Sequence, residues 1–67
     1  GPAYARTKVR EYFEAGSQLV WLVHPKRQDV RIYRPNSTEY RIMRDDAVLT
    51  LEPIVDAFAL RVSDIFR

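Results

Sequence analysis

The spacing of hydrophobic positions changes along the chain from a helical period to an alternating one. Ala5, Val9, Tyr12 and Phe13 fall at i, i+4, i+7 and i+8, with Arg6, Arg10 and Glu14 on the opposite side. This pattern predicts an amphipathic helix over residues 5–15 whose Val9, Tyr12 and Phe13 stripe faces the core. Gly16 supplies its stop, because the residue past a helix end favours the left-handed backbone that Gly adopts at little cost. Residues 18–23 then read as a strand. Leu19, Val20, Trp21, Leu22 and Val23 are all apolar, which predicts a central strand covered on both faces. His24-Pro25 ends it in a tight turn.

Alternation follows. In residues 29–34, Val30 and Ile32 point one way and Asp29, Arg31 and Tyr33 the other, which predicts a second strand. Pro35-Asn36-Ser37 turns the chain. Residues 39–44 form a third strand, Tyr40 and Ile42 opposing Glu39, Arg41 and Met43, and Asp45-Asp46 turns again. Residues 48–51 predict a short edge strand closed by Pro53. In the tail, Phe58, Leu60 and Val62 alternate, and Ser63 and Asp64 are placed to cap a very short helix carrying Ile65 and Phe66. The expected fold class is α+β: one N-terminal helix packed on a three- to four-stranded antiparallel meander, with a C-terminal helical turn.

This pattern raises a physical problem. A strand apolar on both faces needs cover on both, and one helix covers one. Burying one Leu or Val contributes about 1.5–3 kcal/mol, so Val20 and Leu22 should not stay wet. The second cover is expected from the C-terminal tail, from a second copy in a homodimer, or from a missing layer of a longer parent protein.

Composition narrows the classes. The 67 residues allow one domain, and a domain this small hides only about 60% of the surface its unfolded chain would expose, which argues against a deep pocket. The net charge is +2 and nine of the eleven cations are Arg, too small a surplus to imply nucleic acid without clustering. The absence of Cys excludes disulfides, thiolate zinc sites and a Cys nucleophile, and the single His24 cannot form a His-based metal site alone. The longest apolar run, Leu19 to Val23, is far shorter than the roughly 20 residues of a membrane span. A soluble, cytoplasmic domain with no membrane partner is expected. Gly1-Pro2 reads as the scar left when a protease removes an affinity tag. The expected organisation is therefore a scar at 1–2 and a single domain at 3–67, a piece of a larger protein.

Four arginines are candidates for nucleic-acid binding. Arg31 and Arg41 are expected to share the outward face of neighbouring strands, with Arg34 and Arg44 at the strand ends and Tyr33 as a stacking platform. The competing account is a solvated face on which Asp29 and Glu39 pair with those arginines across strands. Lys8 is either a functional cation or a surface residue paired with Glu11 at i+3. His24 is either a base or an ordinary strand-end residue. Trp21 reads as core.

The order Lys8-Val-Arg-Glu-Tyr12-Phe-Glu-Ala-Gly16, then Leu-Val-Trp21-Leu-Val-His24-Pro25, then Val30-Arg-Ile-Tyr33-Arg34-Pro35, with the tail 57–66, resembles the C-terminal portion of the Uma-two family. That family is a bacterial, restriction-endonuclease-like branch of the PD-(D/E)XK nuclease superfamily. The resemblance runs from Thr7 to Phe66 and implies a partial nuclease fold. It also implies a parent hydrolase that cleaves DNA with Mg²⁺ held by acidic residues on a hairpin tens of residues before the helix. Those acids are absent here, so the resemblance implies a catalytically silent piece with no cofactor of its own, in which Lys8 matches the family's helical Lys, the candidate catalytic residue in the intact parent only. His24 stands where the family usually has Asp. Two other readings stay open: a non-catalytic dimerisation or protein-interaction module derived from the fold, and a small nucleic-acid-binding module.

Overall fold

The computed structural model describes residues 2–37 and 39–67, with the side chain of Pro2 left out of the description. Gly1 lies outside the described residues. Helix α1 spans Pro2–Glu14. It starts earlier than the stripe predicts, because Ala3 and Tyr4 continue the helix and a Pro at the first helical position lacks only an N–H that would have no helical partner anyway. It ends as expected at Gly16, whose φ is 102°. The Gly16 N–H donates to the Phe13 carbonyl and the Ser17 N–H to the Tyr12 carbonyl, both at 3.0 Å. These paired bonds form a Schellman cap on carbonyls the helix leaves free.

Three strands follow: β1 (Val20–His24), β2 (Asp29–Tyr33) and β3 (Tyr40–Arg44). They form one antiparallel meander in the order β1-β2-β3. The register places Trp21 opposite Ile32 and Val23 opposite Val30, and sets Ile32 against Arg41 and Val30 against Met43. These residues share one face. The other face carries Val20, Tyr33 and Tyr40 in one row, Leu22, Arg31 and Ile42 in the next, and His24, Asp29 and Arg44 in the last. The alternation expected for β2 and β3 is therefore observed.

Three expectations need correction. First, β1 is an edge strand, not a central one, since its only partner among the described residues is β2. Second, β4 (Val48–Leu49) does not extend the meander; it pairs with β5 (Leu60–Arg61) in a separate two-stranded ladder. Residues 45–46 bring the chain under the sheet instead of along it. Third, the short helix α2 (Val62–Ile65) is capped by Arg61, with no side-chain bond from Ser63 or Asp64. The Val62 and Ser63 N–H groups donate instead to the carbonyls of Ala47 and Asp45, each at 2.9 Å. The turn after β3 does the work expected of a Ser cap.

The core lies on the Trp21 face. Val30, Leu49 and Val62 are fully buried, with Trp21, Ile32, Met43, Ala47, Ile65 and Phe66 packed around them. Phe58 adds a tilted contact to the Trp21 ring at 5.9 Å between centroids. The C-terminal tail thus covers this face, one of the covers the sequence allowed. On the other face α1 borders β1: Val9 is buried, and Tyr4, Lys8 and Tyr12 line one cleft with Val20–His24. The predicted stripe splits here. Phe13 leans toward Tyr33, whereas Tyr12 stays 54% exposed beside the open edge of β1. A helix set over the border of a narrow sheet overhangs that border, so its outer flank finds nothing to cover it. No helix among the described residues is long and apolar enough to cross a membrane.

Candidate functional site

Lys8 lies on the overhanging flank of α1, and its place there follows from the helical period. Tyr4, Lys8 and Tyr12 are spaced by four and form one line along the helix. That line borders an open cleft of ≈ 710 Å³ whose other wall is Val20–His24. Arg27 and Arg31 complete the lining, and no carboxylate belongs to it. The Lys8 ammonium lies 3.4 Å from a Glu11 carboxylate oxygen and 5.7 Å from the Tyr4 ring centroid. The hydrogen bond to Glu11, and then its charge, hold the Lys8 pKa above the ordinary 10.5. Lys8 is therefore a cation at neutral pH and suits charge stabilisation, not proton abstraction. The pairing with Glu11 expected of a surface residue and the placement in a cleft are both observed.

Arg27 was not singled out by the sequence. Its signal was topological. The first turns of α1 line the same cleft as the loop that leaves β1, and Arg27 sits in that loop. His24 has a structural task nearby: its Nδ1 accepts the Arg27 backbone N–H at 3.3 Å. This bond closes the β1–β2 turn in the way an Asp side chain does.

The four candidate arginines do not form one surface. Arg31 sits opposite Ile42, and Arg41 opposite Ile32, so the two point to opposite faces and the expected shared face is corrected. One residue of offset between two alternating strands is enough to invert a side chain. Arg41 joins Arg34 and Glu39 around a separate cleft beside β3. Arg31 instead places its guanidinium carbon 4.8 Å from the Tyr40 ring centroid, beside Tyr33. Arg44 approaches the buried Asp29 at 3.9 Å, the cross-strand pairing expected for this acid.

A divalent metal does not fit the residues present. Among the described residues no group of three or more His, Cys, Asp or Glu side chains comes together. Asp45 and Asp46 lie in the turn after β3, and the buried Asp29 faces Arg44. Lys8, Arg27 and Arg31 line the same cleft, and Lys8 is paired there with Glu11.

No curated protein and no solved structure matches the chain. A family model does: Uma2, described as a putative restriction endonuclease, matches residues 3–63. With almost its whole length inside that match, the chain belongs to the Uma2 family.

Proposed function

We propose that this chain is the C-terminal portion of a Mg²⁺-dependent DNA endonuclease and is catalytically silent by itself. The observation that carries the reading is the place of Lys8 and Arg27 along one cleft beside β1, with Glu11 paired to Lys8. Cations fixed beside a reacting phosphate stabilise the charge that develops there. Lys8, kept protonated by Glu11, is the residue assigned to this task, and Arg27 holds a neighbouring phosphate oxygen. The metal-binding acids have to come from residues outside these 67, so no metal-dependent step is derived for the chain itself.

A plasmid-nicking assay in the presence of Mg²⁺ tests the reading. The 67-residue chain is expected to leave supercoiled DNA intact. A version extended upstream by about a hundred residues, roughly one further domain's worth of chain, is expected to nick it, and Lys8→Ala in that longer protein to abolish nicking. Cleavage by the short chain, or full activity of the extended Lys8→Ala variant, contradicts the proposal.

A further inference from the structure

His24 is the only histidine of the chain, and it closes β1 just before the turn that carries Arg27. Its Nδ1 accepts the Arg27 backbone N–H at 3.3 Å. A ring nitrogen accepts only while it carries no proton, so the neutral ring here keeps its hydrogen on Nε2. A second turn bond runs from the Gln28 N–H to the Pro25 carbonyl at 3.2 Å. Gln28 itself holds a left-handed φ of 55°, a backbone state that costs free energy in a residue other than Gly. The turn therefore hangs on few bonds, and one of them is removed by a proton.

An independent observation lies directly across the sheet. His24 and Asp29 are opposed in the β1–β2 register, so their side chains leave the same face with Cβ atoms about 4.5–5.5 Å apart. Asp29 is 1% exposed. Its Oδ2 reaches Arg44 at only 3.9 Å, and its Oδ1 is buried with no hydrogen-bond partner. A buried acceptor left unmade is costly, and such a group calls for a donor. The charged form of the ring opposite would supply one.

We propose that His24 is a proton-driven latch on the β1–β2 turn, holding the Arg27 N–H when neutral and turning to Asp29 when charged. Protonation makes Nδ1 a donor, so the ring releases Arg27 and gives Asp29 Oδ1 the hydrogen bond it lacks. The surrounding charges divide over this step. Asp29 on β2 favours the charged ring. Lys26 and Arg27 in the turn, Arg31 on β2 and Arg44 on β3 oppose it. From α1, Lys8 opposes it too, its charge offset by Glu11 at 3.4 Å; Tyr4 and Tyr12 are the other titratable groups of α1 along the cleft. The single acid stands directly opposite His24, which gives the released ring one acceptor to turn to. Acid thus loosens the segment that places Arg27 in the cleft, and alkali refastens it. The inference does not depend on the nuclease reading, because it needs only the turn and the His24–Asp29 row.

An NMR titration of the 67-residue chain from mildly alkaline to mildly acid pH tests the latch. The His24 ring carbons report the proton, the Arg27 amide reports the turn and the Asp29 carboxyl carbon reports the acceptor. All three are expected to move in one step with a shared midpoint, the Arg27 amide proton shifting upfield as its hydrogen bond is lost. In His24→Asn, whose side-chain oxygen accepts in either condition, the Arg27 amide is expected to hold its position and the shared step at Asp29 to vanish. An Arg27 amide that ignores the His24 titration overturns the proposal. So does an Asp29 carbon that moves only at another midpoint, or a step that persists in His24→Asn. The first two results are read on the parent chain and need no variant.

Discussion

Asp29 and Arg44 face each other directly across β2 and β3, one 2% exposed and the other 61%. Their closest approach is 3.9 Å, and the second Asp29 oxygen is buried with no hydrogen-bond partner. The pair is therefore lopsided: a desolvated carboxylate leans on a cation that water still reaches. Breaking a fully buried pair costs about 3–5 kcal/mol, but the solvent around Arg44 reduces this to about 1 kcal/mol. Arg44→Ala should lower the melting temperature by about 4–8 °C. Asp29→Asn, which removes the buried charge, should leave stability unchanged or raise it. Thermal denaturation of the two variants checks the asymmetry, and an Asp29→Asn loss larger than that of Arg44→Ala contradicts it.

The tail-covered core should dominate stability. Leu49 is fully buried between Val30 and Val62, whereas its neighbour Val48 is 48% exposed. Leu49→Ala should cost about 2–5 kcal/mol, enough to unfold much of a domain this small. Val48→Ala should stay within about 0.5 kcal/mol of the parent. Urea titration separates them, and comparable losses at both sites would mean that the tail does not pack on the sheet.

Gly16 tests the end of α1. Its φ of 102° is a conformation other residues adopt at a cost, while nothing lies within 4 Å of an added Cβ. Gly16→Ala should therefore be penalised through the backbone alone, by about 1–2 kcal/mol. A neutral result in thermal melts would show that the Schellman cap is dispensable.

How much of this was legible follows from which forces are local. The α1 stop at Gly16, the β2 and β3 alternation and the core role of Trp21 are written in periods and turn residues. The edge position of β1 was not. A run of apolar residues reports that both faces are covered, and here the tail and α1 do cover them in part, but it carries no information on whether a strand lies beside it. The departure of β4 was hidden for a similar reason, since pairing with Leu60–Arg61 depends on a contact distant in sequence. The α2 cap was misread because turn carbonyls replaced a side chain. Lys8 is singled out by the family resemblance and Arg27 is not, because its place in the cleft depends on how α1 packs beside β1. The arginines of the sheet separated once the register was known.

Alkaline titration tests the Lys8–Glu11 pair. The Lys8 pKa lies above its ordinary value in the folded chain, so the folded state binds this proton more tightly than the unfolded one. The resulting stabilisation is fully present below the ordinary value of 10.5 and is lost as pH rises through the higher folded value. Following the Lys8 side-chain carbon shifts by NMR should give a midpoint that falls in Glu11→Gln. An unchanged midpoint would remove Glu11 as the cause.

Amide hydrogen exchange along β1 tests the central claim most directly. In the chain alone, the amides of Val20–His24 that bond to β2 should be protected and those directed at the open edge should exchange nearly as fast as in an unfolded peptide, with Val30 slow throughout. Uniform protection across all five β1 residues would contradict the account, because it would mean that this edge is already paired.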